Sequence, residues 1–157
     1  MGPPPAGFGY GYGPPGFGPV PEGMYFDGHS GLTLPQGVVL ASVGSRIGAY
    51  FLAFPLAIGT LLIGYIIWGM ILWGRGQTPA LRVLGMRCWR PETGRVAGWW
   101  WMALREIVGE LVEGILGIIT QVVSLVLMLS GRERQCLHDL IAGTVVLHDP
   151  NKVLANQ

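Results

Sequence analysis

"IGAYFLAFPLAIGTLLIGYIIWGMILW", Ile47 to Trp73, contains no charged side chain, and Gly74 extends the uncharged run to twenty-eight residues. At about 1.5 Å per residue, one helix of that length covers about 40 Å, against a hydrocarbon core of roughly 30 Å. It is long enough for one tilted crossing and too short for two. Trp68 and Trp73 stand towards one end, where interfacial indoles commonly sit, and Pro55 falls where it would kink a helix. The run predicts a transmembrane helix.

That helix has a face. Ala49, Ala53, Ala57, Thr60 and Gly64 recur at spacings of four, four, three and four. Small residues on one stripe let a second helix approach closely where lipid removes the hydrophobic drive. Downstream, "VAGWWWMALREIVGELVEGILGIITQVVSLVLMLS", from Val96, supplies a second helical region with eighteen uncharged residues from Gly114 to Gly131. Its Trp99, Trp100 and Trp101 suit the headgroup level. Within it Glu106, Glu110, Glu113, Thr120 and Ser124, with Gln121 alongside, fall on one polar stripe of an otherwise apolar helix. Carboxylates are costly against lipid, so this stripe must face protein or water, and the small-residue face is its natural partner.

The expected fold class is therefore all-α, an integral membrane protein with two transmembrane helices. Three crossings are the alternative, through a hairpin within 96–130. Composition agrees: only 12% of the 157 residues are charged and 50% are hydrophobic, where a soluble domain has roughly a quarter charged. A net charge of +1 gives no basic footprint for nucleic acid. Cys88 and Cys136 make no metal-ligand spacing and read as unpaired thiols.

Working outwards, residues 1–44 are rich in Gly, Pro and aromatics without hydrophobic period, and predict a disordered tail. Tyr10, Tyr12 and Phe17 are its candidate docking aromatics. No positive n-region precedes an early apolar core, so no cleavable signal peptide is expected. A transmembrane domain over 45–150 and a C-terminal tail over 151–157 complete the division. Within the former, "LIAGTVVLHDP" reads as a short amphipathic turn followed by a brief β-like run ended by Asp149-Pro150. Segment 74–95 holds Arg75, Arg82, Arg87, Arg90 and Arg95, half of the ten basic residues. Orientation follows short-loop cations, so this middle loop is expected in the cytoplasm, with Arg75, Arg82 and Arg87 snorkelling to anionic headgroups.

Four blocks in this order, "GSRIGAYFLAF" (Gly44–Phe54), "GQTPALRVLGMRCW" (Gly76–Trp89), "LREIVG" (Leu104–Gly109) and "CLHDLIAGTVVLHD" (Cys136–Asp149), resemble the RDD family of small membrane proteins. The resemblance assigns the family arginine to Arg46 and the second family aspartate to Asp139, and invites an ion pair between them. The first family aspartate falls on Ala53, and Ala80-Leu81 stand where the family's block has a lysine. It also implies a place in the cell inner membrane, as a multi-pass protein, and a suggested transport role.

The expected function is a transport-related or ion-exchange component. Two helices enclose little, so it would work as a homo-oligomer or with another membrane subunit. A buried glutamate has its proton affinity raised by desolvation, so Glu113, beside the uncharged run, is the first candidate for the exchanging carboxylate. The other reading leaves the glutamates paired with Arg105 or loop arginines, in a non-catalytic assembly protein acting through its helix faces and tail. No nucleophile elbow or phosphate loop is present, so no enzyme is expected. "LHD" recurs at 137–139 and 147–149, a spacing that is no recognised ligand pattern, so no metal and no cofactor are expected.

Overall fold

The computed structural model describes residues 20–156, leaving aside the side chains at 110, 113 and 156. It corrects the all-α expectation: the fold is mixed α/β, with two antiparallel sheets. Part of the expected 1–44 tail is ordered. β1 (Met24–Asp27) and β2 (Leu32–Pro35) form a hairpin pairing Tyr25 with Leu34. Its turn is fixed by Asp27, whose carboxylate accepts the Ser30 hydroxyl at 2.6 Å and the His29 and Ser30 amides at 3.3 Å. Tyr10, Tyr12 and Phe17 lie outside the described residues.

The second sheet has the order β3 (Val39–Leu40), β6 (Val145–His148), β4 (Met86–Arg90) and β5 (Arg95–Val96). Strand alternation sends its side chains to two cores. Met86, Cys88 and Val146 join Ala41, Ala49, Ala80, Leu81, Ala97 and Met102 on the helical side. Trp89, Val145 and Leu147 join Leu34, Val38 and Leu154 on the hairpin side. The β-like run expected before Asp149 is β6, and the basic "middle loop" of 74–95 is largely β4, β5 and a short helix.

The long apolar run is broken. α1 (Val43–Gly59), capped by the Ser42 hydroxyl at 3.1 Å from the Ser45 amide, ends at Thr60. Leu61 and Leu62 then take left-handed φ of 54° and 55°, and α2 (Ile63–Trp73) starts afresh. Seventeen and eleven residues give about 26 Å and 17 Å of helix at 1.5 Å per residue, each short of a 30 Å core. The kink expected at Pro55 is instead a break five residues on. The second region divides likewise. α4 (Trp99–Ala103) runs through a π-helical turn (Leu104–Val108) into α5 (Gly109–Leu116), and Gly117, at φ 60° and ψ −137°, separates α5 from α6 (Ile118–Ser130). Among the described residues no helix is long and apolar enough to cross a membrane. The two spans expected, with three as the alternative, are therefore not found there as unbroken helices.

The "GQTP" block shapes the join between helices and sheet. Gly76 has φ +64°, and a Cβ there would lie 2.5 Å from Val96 Cγ1 and 2.9 Å from the Cys88 carbonyl oxygen. Only glycine fits. Gln77 is buried and donates to the Met86 carbonyl at 2.8 Å. Thr78 caps α3 (Pro79–Val83), with Pro79 at its first position.

Candidate functional site

α7 (Leu137–Ala142) has Cys136 as its N-cap, and Asp139 sits in its first turn. The Asp139 carboxylate reaches back to accept the Cys136 amide at 3.1 Å, in a capping-box arrangement. It is wholly buried and meets two guanidiniums. Arg46, from the first turns of α1, pairs with Oδ2, and Arg105 Nε donates to Oδ1 at 2.8 Å. Arg105 also pairs with Glu106 through Nη1, and its Nη2 lies 2.9 Å from His138 Nε2. Arg46 completes its set with the Arg134 carbonyl and with Cys136 Sγ at 3.4 Å.

Two local features make this convergence possible. The π turn carries Arg105 round to face α7, and π turns are frequent at functional sites. Gly109 then lets α7 pack closely, since a Cβ there would fall 2.5 Å from His138 Cβ.

In formal charge, Arg46 and Arg105 balance Asp139 and Glu106. Burial alone would raise the Asp139 carboxyl, but the guanidiniums of Arg105 and Arg46 outweigh it and hold the group far below the usual carboxylate range. Burial likewise opposes the charge on Arg105, yet Cys88, Asp139 and Glu106 keep its affinity for the proton well above the ordinary value. Burial pushes the Cys88 thiol up to about 11, so it is protonated at neutral pH and a poor nucleophile.

Above the cluster lies a cleft of about 770 Å³ between α1 and α6. Ala49, Ala53 and Phe54 line one wall, Gln121, Val122 and Leu125 the other, and Arg46, Arg105, Glu106 and His138 the polar end. Ala49 and Ala53 of the small-residue stripe and Glu106, Gln121 and Ser124 of the polar stripe therefore line one cleft. Ala53, at the family's first aspartate position, is on the cleft wall.

The residues of the expected stripe take different places. Glu106 sits beside Arg105 at the cleft end, whereas the side chains of Glu110 and Glu113 lie outside the described residues. Thr120 is buried and donates to the Gly117 carbonyl at 2.8 Å. Ser124 is buried too, and its hydroxyl accepts the Leu137 amide at 3.2 Å, tying α6 to α7. Gln121 alone of these three is exposed.

The expected headgroup contacts divide as well. Arg75 and Arg82 are exposed, but Arg87 is buried, its Nε 3.3 Å from Asp149 Oδ2. This corrects its assignment to headgroups, because its position on β4 turns it into the protein. Asp149 also accepts the Val153 and Leu154 amides at 2.7 and 3.1 Å, which fastens the C-terminal turn. Sequence reasoning gave Arg105 only as a partner for its neighbouring glutamates, read Cys136 as an unpaired thiol and set His138 aside as a ligand. The "LREIVG" and "CLHD" blocks held the residues without disclosing that they meet.

The RDD family model matches residues 26–143, most of the chain, including α1, the GQTP join, the π turn and Asp139. No curated protein and no solved structure matches.

Proposed function

The chain belongs to the RDD family, whose proteins are generally membrane-associated, and from that premise we propose a non-enzymatic, transport-related component that holds a small ionic or amphiphilic ligand in the cleft between α1 and α6. One observation carries this reading: the cleft joins apolar helix walls to a polar end built from Arg46, Arg105, Glu106 and His138. Concave, mostly apolar sites with a few converging polar groups are the usual form of a small-ligand pocket. The outer helix faces support attachment to lipid of the cell inner membrane. Ile58, Ile63, Ile67 and Ile71 on one side, and Ile115, Ile119 and Val126 on the other, are large and exposed. Apolar patches on this scale mark membrane or protein interaction surfaces.

In this reading the protein works as a homo-oligomer or with another membrane subunit, further chains closing the open side of the cleft. Glu106 is the ion-exchanging carboxylate, standing in for the aspartate that Ala53 replaces, with Glu113 as its candidate successor along the chain. The second reading, a non-catalytic assembly protein, draws on the same exposed faces: they are as able to bind other apolar helices as to bind lipid.

Vesicles containing the purified protein separate the two. We expect a cation-dependent proton flux that Glu106→Gln reduces by at least about a hundredfold, the lower end of what loss of a proton-transfer group typically costs. Glu113→Gln is the parallel variant. Undiminished flux in Glu106→Gln would remove that residue from the mechanism, and no flux from the parent under varied cation gradients would favour assembly.

A further inference from the structure

Cys136 Sγ lies 3.8 Å from Met128 Sδ. Two sulfurs bound to one metal at about 2.3 Å each, with a trigonal angle between them, stand about 4 Å apart. The ligating atoms of Cys136 and His138 are within 4.8 Å of one another, as are those of Asp139. The Asp139 oxygens are already taken by Arg46, Arg105 and the Cys136 amide. What the cluster offers is a thiol, a thioether and an imidazole, a set that selects soft cations.

We propose that Cys136, Met128 and His138 form a binding site for a soft monovalent cation of the Cu(I) or Ag(I) kind.

Charge decides for a monovalent ion. The Cys136 thiol gives up its proton as the sulfur–metal bond forms, and the proton leaves to solvent, so one positive charge replaces another. A divalent ion would add a net charge facing both Arg46 and Arg105. Arg46, with Nη2 3.4 Å from the sulfur, favours the thiolate that the metal needs. Arginine only donates, so His138 Nε2, 2.9 Å from Arg105 Nη2, presents a lone pair there. Binding through it exchanges Arg105 for the cation. Access comes through the cleft, which Met128, Cys136 and His138 all line. Cys88, buried in the helical-side core, lies among apolar neighbours and does not line the cleft. The site is independent of the transport reading, because binding is measured on solubilised protein without any flux.

The test titrates the full chain in detergent, without oxygen, with Cu(I) in competition with the chromogenic ligand bicinchoninate. The parent and Cys88→Ser are expected to bind one Cu(I) with equal affinity. Cys136→Ser and the near-isosteric Met128→Leu are each expected to weaken it by at least about tenfold, the lower end of what even outer-shell changes cost at metal sites. Parental affinity in Met128→Leu would remove the thioether from the site and overturn the proposal. Zn(II) binding as tight as Cu(I) would overturn it as well. In a second measurement that requires no comparison of affinities, Ag(I) should protect Cys136 from alkylation, read by mass spectrometry, in the parent and not in Met128→Leu. Equal protection in both would count against the site.

Discussion

Replacing Asp139 by asparagine leaves Arg46 and Arg105 buried with their shared counter-charge gone. Removing one partner of a buried charge cluster typically costs about 3–5 kcal/mol, because the remaining charges stay desolvated. Asp139→Asn is therefore expected to lower unfolding stability by that amount at neutral pH, as measured by denaturant titration. The carboxyl's proton affinity is depressed on folding, so its contribution is complete above the ordinary value of 3.8 and is lost as pH falls below it. The parent should lose part of its advantage over the variant on acidification below about pH 4, and the gap should stay constant above it. A gap that widened on acidification would contradict the assignment of charge at this cluster. Arg46 and Asp139 were legible through family resemblance. Arg105 was not legible as their partner, since it lies thirty-four residues from Asp139 and reaches it only by way of a π turn. Arg87 misled for the opposite reason: an arginine in a basic block reads as exposed until its partner Asp149 appears beside it.

The helical elements turn on backbone conformation that side-chain hydropathy does not encode. Gly59 is the last residue of α1, yet the two left-handed residues that follow the Thr60 cap are both leucines. Such a conformation costs an L-residue roughly 1–2 kcal/mol, and glycine bears little of that cost. Leu62→Gly is expected to stabilise the folded chain by about 1 kcal/mol, seen as a raised thermal midpoint in detergent. A lowered midpoint would argue for continuous helix through this position. Gly117 was visible in the sequence, but glycine is common in apolar helices and signals a break only once its φ is known. Strand β4, "MRCWR", does alternate: Met86 and Cys88 face one core while Trp89 faces the other. Its arginines concealed the pattern, and β3 and β5, two residues each, are too short to carry a period.

At the scale of the molecule, composition disclosed a chain with too few polar residues to coat itself, and the exposed helix faces bear that surplus. The architecture was hidden because the sheet depends on long-range pairing. Cys88 meets Val146 and Trp89 meets Val145 across more than fifty intervening residues. That pairing has a consequence for the order in which a ribosome releases the chain. β6 is synthesised after every other described strand, yet it occupies an inner place between β3 and β4. Until residue 148 has left the exit tunnel, both neighbours wait with open edges, while the apolar helices on either side of them are already free to find a bilayer. A nascent chain arrested at 144 should therefore leave β4 open to proteolysis, and one released past 148 should protect it; early protection would mean that the sheet closes without its last strand.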